Sequence, residues 1–242
     1  MMSELTGKAV IITGASSGIG RSYARRLATE GANLVLLGRD QQRLTELAES
    51  LPTQTRTLTG DVSDPELATQ ARELCLAEFG GIDIVLPNAG LYLGEKGWEV
   101  PAERVHQMVT TNVAGVMHLI HAVLPYFLAR GTGDIFVTSS VSGHQVIHWE
   151  PVYSATKHAV NAFVHATRQE IIGSGVRLGA IAPGIVLNEL WGVDQGASID
   201  DQVARHQGMR SEDVAEALVF MIKQPRHVTV RDLVVVPTAQ PI

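Results

Sequence analysis

The stretch "AVIITGASSGIG", residues 9–20, sets a run of apolar and β-branched residues directly against three glycines and the start of a helix-like pattern. The first five residues read as a buried strand, and Gly14, Gly18 and Gly20 punctuate the turn that leaves it. Glycine suits a tight turn, a backbone that must approach a pyrophosphate, and a helix that packs closely on a strand. A helix opening near Ile19 turns its amide-rich, positive end toward the same place, which favours phosphate charge. Ser16, Ser17, Gly18 and Ile19 are therefore candidate phosphate contacts, with Gly14 and Gly20 shaping the loop. Three spaced glycines alone are a weak signal; their place after the first strand of a regular βαβ rhythm makes a dinucleotide the expected ligand.

That rhythm runs the length of the chain. After the glycine loop come "NLVLLG", a helix from Gln41, "TRTLTGDV", a helix from Pro65, "IDIVLPNAG", a helix through Asn112 to Leu128, and "GDIFVTSS". A helix carrying Tyr153 to Ile172, then "VRLGAIAPG", "SEDVAEALVFMI" and "DLVVVP" complete it. Seven strand candidates alternating with helices predict an α/β fold: a single doubly wound Rossmann-type domain over 1–242, with a seven-stranded parallel sheet and helices on both faces. Residues 188–210 break the rhythm. They are long, mixed and without a strand pattern, and they read as an insertion or lid over the C-terminal edge of the sheet, where such folds bind ligands.

Composition bounds the partners. With 45% apolar and 18% charged residues among 242, and a formal charge of -6, the chain reads as a globular protein with no general attraction for nucleic acid or an anionic membrane, and small molecules are the expected ligands. Cys75 is the lone cysteine, so no internal disulfide can form, which fits a cytoplasmic location. The apolar passage 113–128 is interrupted by Gly115, His118, His121 and Pro125 and reads as a packed helix rather than a membrane span. His118 and His121 lack a neighbouring third ligand, so no metal site is read there.

A second constellation lies in "YSATK", residues 153–157. Tyr153 and Lys157 stand four residues apart and share a helix face. Ser140 ends the strand reading "GDIFVTSS", and Asn112 sits early in an apolar helix where its amide has little local purpose. With "TGASSGIG", "DV" at Asp61, "NAG" at Asn88 to Gly90, and "PG" at Pro183, the chain closely resembles the classical short-chain dehydrogenase/reductase family. Within that family, "HWEPVYSATKHAVNAFVHATRQE" and "HVTVRDLVVVP" are most similar to the ribitol dehydrogenase type of polyol dehydrogenase. Two departures stand out: "PNAG" replaces the family's "NNAG", and Asn188 replaces a common threonine.

The resemblance implies an NAD(P)-dependent oxidoreductase that interconverts a secondary alcohol and a ketone. Tyr153 would be the general base and acid, made usable by the charge of Lys157, which would also bind the nicotinamide ribose. Ser140 would hold the substrate oxygen and Asn112 a water in a proton relay. Asp61, Val62, Asn88, Ala89, Gly90, Pro183, Gly184 and Val186 would complete the cofactor contacts. At the end of the second strand, where an NAD enzyme places a carboxylate, stand Gly38 and then Arg39. An arginine there can pair with a 2′-phosphate, so NADP is the expected cofactor and NAD the alternative; Asp40 falls past the strand and faces solvent. Glu150 and Trp191 are the candidate substrate contacts, with His144, His148 and Trp149 in a loop bordering the same space. A sugar alcohol or similar polar compound is the expected substrate. An apolar ketone or 3-oxoacyl compound is the alternative, and a non-catalytic cofactor sensor is the rival of another class. The apolar faces of the helices 112–128 and 153–172, with the resemblance, imply a homodimer or homotetramer.

Overall fold

In chain order the elements are β1 (Ala9–Thr13), α1 (Gly18–Thr29), β2 (Asn33–Gly38), α2 (Gln41–Ser50), β3 (Thr55–Thr59), α3 (Pro65–Phe79) and β4 (Ile84–Leu86). The second half holds α4 (Ala102–Val109), α5 (Gly115–Arg130), β5 (Gly133–Thr138), α6 (Pro151–Glu170), β6 (Val176–Pro183), α7 (Ala197–Ala204), α8 (Ser211–Ile222) and β7 (Asp232–Val235). They come from a computed structural model that describes residues 5–192 and 197–241.

The strands form one sheet in the order β3-β2-β1-β4-β5-β6-β7, every pair parallel. Strand alternation explains why it needs helices on both faces. Val10, Ile12, Leu34 and Leu36 point into one core with α1, α2 and α8, whereas Ile11, Val35 and Leu37 point into the other with α3, α5 and α6. Because β1 is flanked by β2 on one side and β4 on the other, the strand order reverses between β1 and β4. The loops leaving β1 and β4 therefore part at the sheet's C-terminal edge and open a crevice.

Three local details differ from the sequence pattern. The long apolar helix begins at Ala102, ahead of Asn112, and passes through a π-helical turn over Thr110–Ala114 before continuing as α5. By length and composition the run Ala102–Arg130 could cross a membrane, but Val116, Leu119, Ile120, Val123 and Phe127 are buried in the second core. Strand β5 stops at Thr138, so Ser140 lies beyond it as the cap of a short 3₁₀ turn, Val141–Gly143. Residues 188–210 contain a second such turn, Glu189–Trp191, and α7, tied back where Val186 pairs with Met209.

Candidate active site

The cofactor end is built where β1 and β4 diverge. Thr13 closes β1, and its hydroxyl accepts from the amides of Asn88 (2.9 Å) and Ala89 (3.0 Å). The Asn88 amide group donates back to the Thr13 carbonyl at 3.0 Å. The two loops are thus pinned together with no room for side chains between them. A Cβ on Gly20 would lie 2.2 Å from the Gly14 carbonyl oxygen, and one on Gly14, whose φ is +65°, would lie 2.8 Å from the Ala89 backbone. Asn88 thus ties the loop after β4 to the glycine loop.

Gly38, the last residue of β2, faces Ser16, whose hydroxyl would be 3.1 Å from an added Cβ. Arg39 is next, exposed and without an ion-pair partner among the described residues. Asp40 is spent otherwise: it caps α2 by accepting from the Arg43 amide and pairs with the Arg43 guanidinium at 3.3 Å. The glycine loop has an unexpected neighbour in Glu189, whose carboxylate accepts from the Gly18 amide (3.1 Å) and from Arg21 (2.7 Å). Those contacts hold the Glu189 carboxyl below its usual range despite partial burial.

The catalytic candidates meet beyond β5 and in the first turns of α6. Tyr153, Lys157, Ser140 and Asn112 are all buried, and the Ser140 hydroxyl lies near enough to the Tyr153 phenol to favour its ionised form. Lys157 lies one turn from Tyr153, its Nζ 5.6 Å from the phenol ring centre and donating to the Thr138 carbonyl at 3.0 Å. Burial pushes the Lys157 ammonium down from 10.5 to about 8. It pushes the Tyr153 phenol well above its usual value, an effect opposed by Ser140 and reinforced by the charge of Glu150. In the protein alone, desolvation therefore outweighs the help expected from Lys157, and Tyr153 is a phenol at neutral pH.

Asn112 has a local purpose that its place in an apolar helix conceals. The π turn swings its side chain onto the segment after β4, where Oδ1 accepts from the Leu91 amide (2.7 Å) and Nδ2 donates to the Leu91 carbonyl (2.9 Å) and Thr156 (3.2 Å). It braces the wall of the site.

A cleft of about 670 Å³ joins these parts and is lined by Gly14, Ser16, Ser17, Gly18, Ile19, Arg39, Asp61, Val62, Asn88, Ala89, Gly90, Ser140, Tyr153, Lys157, Pro183, Gly184 and Val186. Gly20 and Asn112 stand behind its wall. Of the substrate candidates, Glu150 lines the cleft at 2% exposure, while the side chain of Trp191 lies outside the described residues. Glu150 occupies the cap position of α6 but does not cap it; its carboxylate turns inward to accept from the Ser142 hydroxyl, close enough to Tyr92 to disfavour ionisation of that phenol. Trp149 lines the rim with His148 packed edge-on against it, and His144 is exposed. Among the described residues no three metal-ligating side chains gather.

Arg43, Ser142, Tyr92 and Gln240 belong to the site without any motif that marks them. Arg43 comes one helical turn after Arg39, a spacing the sequence does show. Gln240 reaches the site from far along the chain, where its Oε1 accepts from the Ile185 amide at 2.9 Å and stands 2.0 Å from where a Cβ on Gly184 would lie. The donor set fits a nicotinamide dinucleotide: a glycine-formed cradle at a helix N-terminus, an arginine just past β2 with no ion-pair partner among the described residues, and a buried ammonium beside a phenol.

Comparison with known proteins agrees with this geometry. The short chain dehydrogenase family profile matches residues 8–195. An uncharacterized oxidoreductase of Staphylococcus saprophyticus is 36% identical over 240 residues, covering 98% of this chain and all of that protein. One from Staphylococcus epidermidis is 33% identical over 236 residues with the same coverage. Among solved structures, an alcohol dehydrogenase from the archaeon Thermococcus sibiricus, complexed with 5-hydroxy-NADP, superposes with a TM-score of 0.87 at 30% identity, covering 97% of this chain and 98% of that one. Serine dehydrogenase from Escherichia coli superposes at 0.84 and 30% identity, covering 97% of this chain and 100% of that one.

Proposed function

The chain belongs to the short-chain dehydrogenase family, and on that premise we propose that it is an NADP-dependent oxidoreductase interconverting a secondary alcohol and a ketone, with a ribitol-like polyol or similar polar compound as substrate. The observation that carries this reading is the gathering of Ser140, Tyr153 and Lys157 on the cleft that the glycine loop opens. A protein that only sensed the cofactor would have no use for that group. NADP is supported by Gly38 and the unpaired Arg39, and by the NADP and 5-hydroxy-NADP complexes of similar structures. Glu150, Ser142 and Tyr92 give the substrate end a polar wall, which suits several hydroxyls. Leu91, Ile147 and Leu190 line the same space and favour, as a second reading, a ketone with an apolar substituent.

Bound in the cleft, the nicotinamide would supply the acceptor or donor of hydride. The protein's part is the proton. Tyr153 Oη receives the proton of the substrate hydroxyl in oxidation and returns it in reduction, while Ser140 holds the substrate oxygen. Lys157, fixed on the Thr138 carbonyl, stabilises the phenolate and would hold the ribose hydroxyls of a bound cofactor. The 188–210 segment, carrying Asn188 and Leu190 on the cleft wall, serves as a lid. The outer faces of α5 and α6, with Leu128 exposed on α5 and Ile172 exposed in the turn just past α6, form the contact between subunits.

A panel of polyols led by ribitol, their ketoses and apolar ketones, read by absorbance of the reduced cofactor, tests this function. Tyr153→Phe should lower kcat by roughly 10²- to 10⁴-fold and leave NADP affinity nearly unchanged. Retention of more than about a tenth of wild-type kcat would remove Tyr153 from the proton transfer.

A further inference from the structure

Glu189 ties the base of the 188–210 segment to the glycine loop. Gly18 opens α1, and the amides of a first helical turn have no partner within the helix. The Glu189 carboxylate accepts from the Gly18 amide at 3.1 Å and pairs with Arg21, one turn into α1, at 2.7 Å. The two pieces of chain meet closely, since a Cβ on Gly18 would lie 3.1 Å from Asn188 Nδ2. Asn188 is itself committed to holding this turn. Its Oδ1 accepts from the Leu190 amide at 3.0 Å, and its Nδ2 donates to Ser211, the first residue of α8, at 3.3 Å. Gly18, Asn188 and Leu190 line the cofactor cleft, whereas Arg21 and Glu189 line a second cavity of about 400 Å³. Asn188 lines both, so this short turn is the partition between them.

We propose that Glu189 is the positioning residue that holds the Asn188–Leu190 wall against the glycine loop and so shapes the cleft for cofactor and substrate together. The proposal rests on the reading of the cleft as an NADP site. From behind the partition, the carboxylate leaves the cleft side of the loop, with Ser16, Ser17 and Ile19, to the phosphates. A carboxylate makes the strongest tie available there, because the N-terminus of α1 favours negative charge and the bond to the Gly18 amide is charge-assisted. Left alone, that charge would repel a diphosphate at the same helix end; Arg21 cancels it. The tie also joins the two ends of the cleft. Glu189 is bonded at the phosphate end, while the next residue, Leu190, faces the substrate space and takes its place from the same turn. A wall fixed at the glycine loop therefore sets the fit of the substrate. Were Glu189 instead a stand-in for phosphate that the cofactor must expel, its carboxylate would line the cleft, and removing it would tighten cofactor binding. The two roles predict opposite signs.

Glu189→Ala removes both bonds, whereas Glu189→Gln keeps an oxygen that can accept from the Gly18 amide and gives up only the ion pair. In calorimetric titration, NADP should bind Glu189→Ala about 10- to 100-fold more weakly than wild type, and Glu189→Gln should stay within about fivefold of it. With the alcohol turned over fastest in the panel as probe, Glu189→Ala should also raise KM, while kcat at saturation stays within about threefold because Ser140, Tyr153 and Lys157 are untouched. Tighter NADP binding by Glu189→Ala would make the carboxylate a competitor of the cofactor. A lower melting temperature with NADP affinity and KM changed by less than about threefold would make it a fastening of the fold and nothing more. A Glu189→Gln variant no better than Glu189→Ala would show that the wall does not hang on the Gly18 amide. Each of these results overturns the proposal. Wild-type protein that binds neither NADP nor NAD would instead sink the reading of the cleft on which it rests. If Glu189→Ala fails to fold, Glu189→Met, which fills the same space without an oxygen, decides the matter.

Discussion

Replacing Lys157 with methionine should make the protein more stable and less active, and the gain should fade as pH rises. Lys157 is almost wholly buried, and its ammonium is held at about 8 against an ordinary 10.5. At about 1.4 kcal/mol for each tenfold change in proton affinity, keeping that charge inside the folded protein at neutral pH costs about 3 kcal/mol. Methionine removes the charge with a side chain of similar length, but it also leaves the Thr138 carbonyl without its donor, a loss of about 1 kcal/mol. The net gain near pH 7 is about 2 kcal/mol, or roughly 4–8 °C in Tm for a chain of this size. The pH dependence carries a definite sign. Between about 8 and 10.5 the unfolded chain holds the lysine proton and the folded one has released it, so the wild type gains stability as pH rises through that window. The methionine variant has no such group, and its advantage should vanish by about pH 10.5. Thermal unfolding without nucleotide, measured at several pH values from neutral to alkaline, gives the gap, and nucleotide binding with turnover gives the functional loss. A variant less stable than wild type at neutral pH, or a gap that does not narrow through the window, would show that Lys157 is not held there as a strained charge.

The same geometry sets two further outcomes. Gly38→Asp combined with Arg39→Ser should shift preference from NADP toward NAD by roughly 5- to 150-fold in kcat/KM, the worth of one partly exposed phosphate contact of ~1–3 kcal/mol; Ser16 must give by a few tenths of an ångström to admit the new carboxylate, and an unmoved ratio would exclude Arg39 as selector. Light scattering at working concentration should find a dimer or tetramer, and Leu128→Glu with Ile172→Glu should dissociate it, whereas a wild-type monomer would show that the outer faces of α5 and α6 are not an interface.

The features legible in the sequence are local or periodic. The unbroken apolar runs "AVIIT" and "NLVLLG" read as strands of a sheet covered on both faces, and the i, i+4 spacing of Tyr153 and Lys157 puts phenol and ammonium on one helical face before any fold is known. The end of β2 is equally readable: Asp40 reads as past the strand and facing solvent, and there it caps α2. The contacts that tune these groups join residues far apart or depend on how a local element is bent. The π turn that brings Asn112 onto Leu91 leaves no mark in the pattern of an apolar helix, and neither Glu189 at the glycine loop nor Gln240 beneath Gly184 is near its partner in the chain. The clearest case is the sign at Tyr153. Spacing shows that a cation is one turn away and argues for an easily ionised phenol, but the shift is a sum over everything packed around the ring. Burial under the segment after β4, with Tyr92 edge-on at 5.1 Å and the Glu150 charge nearby, exceeds the opposing effect of Ser140.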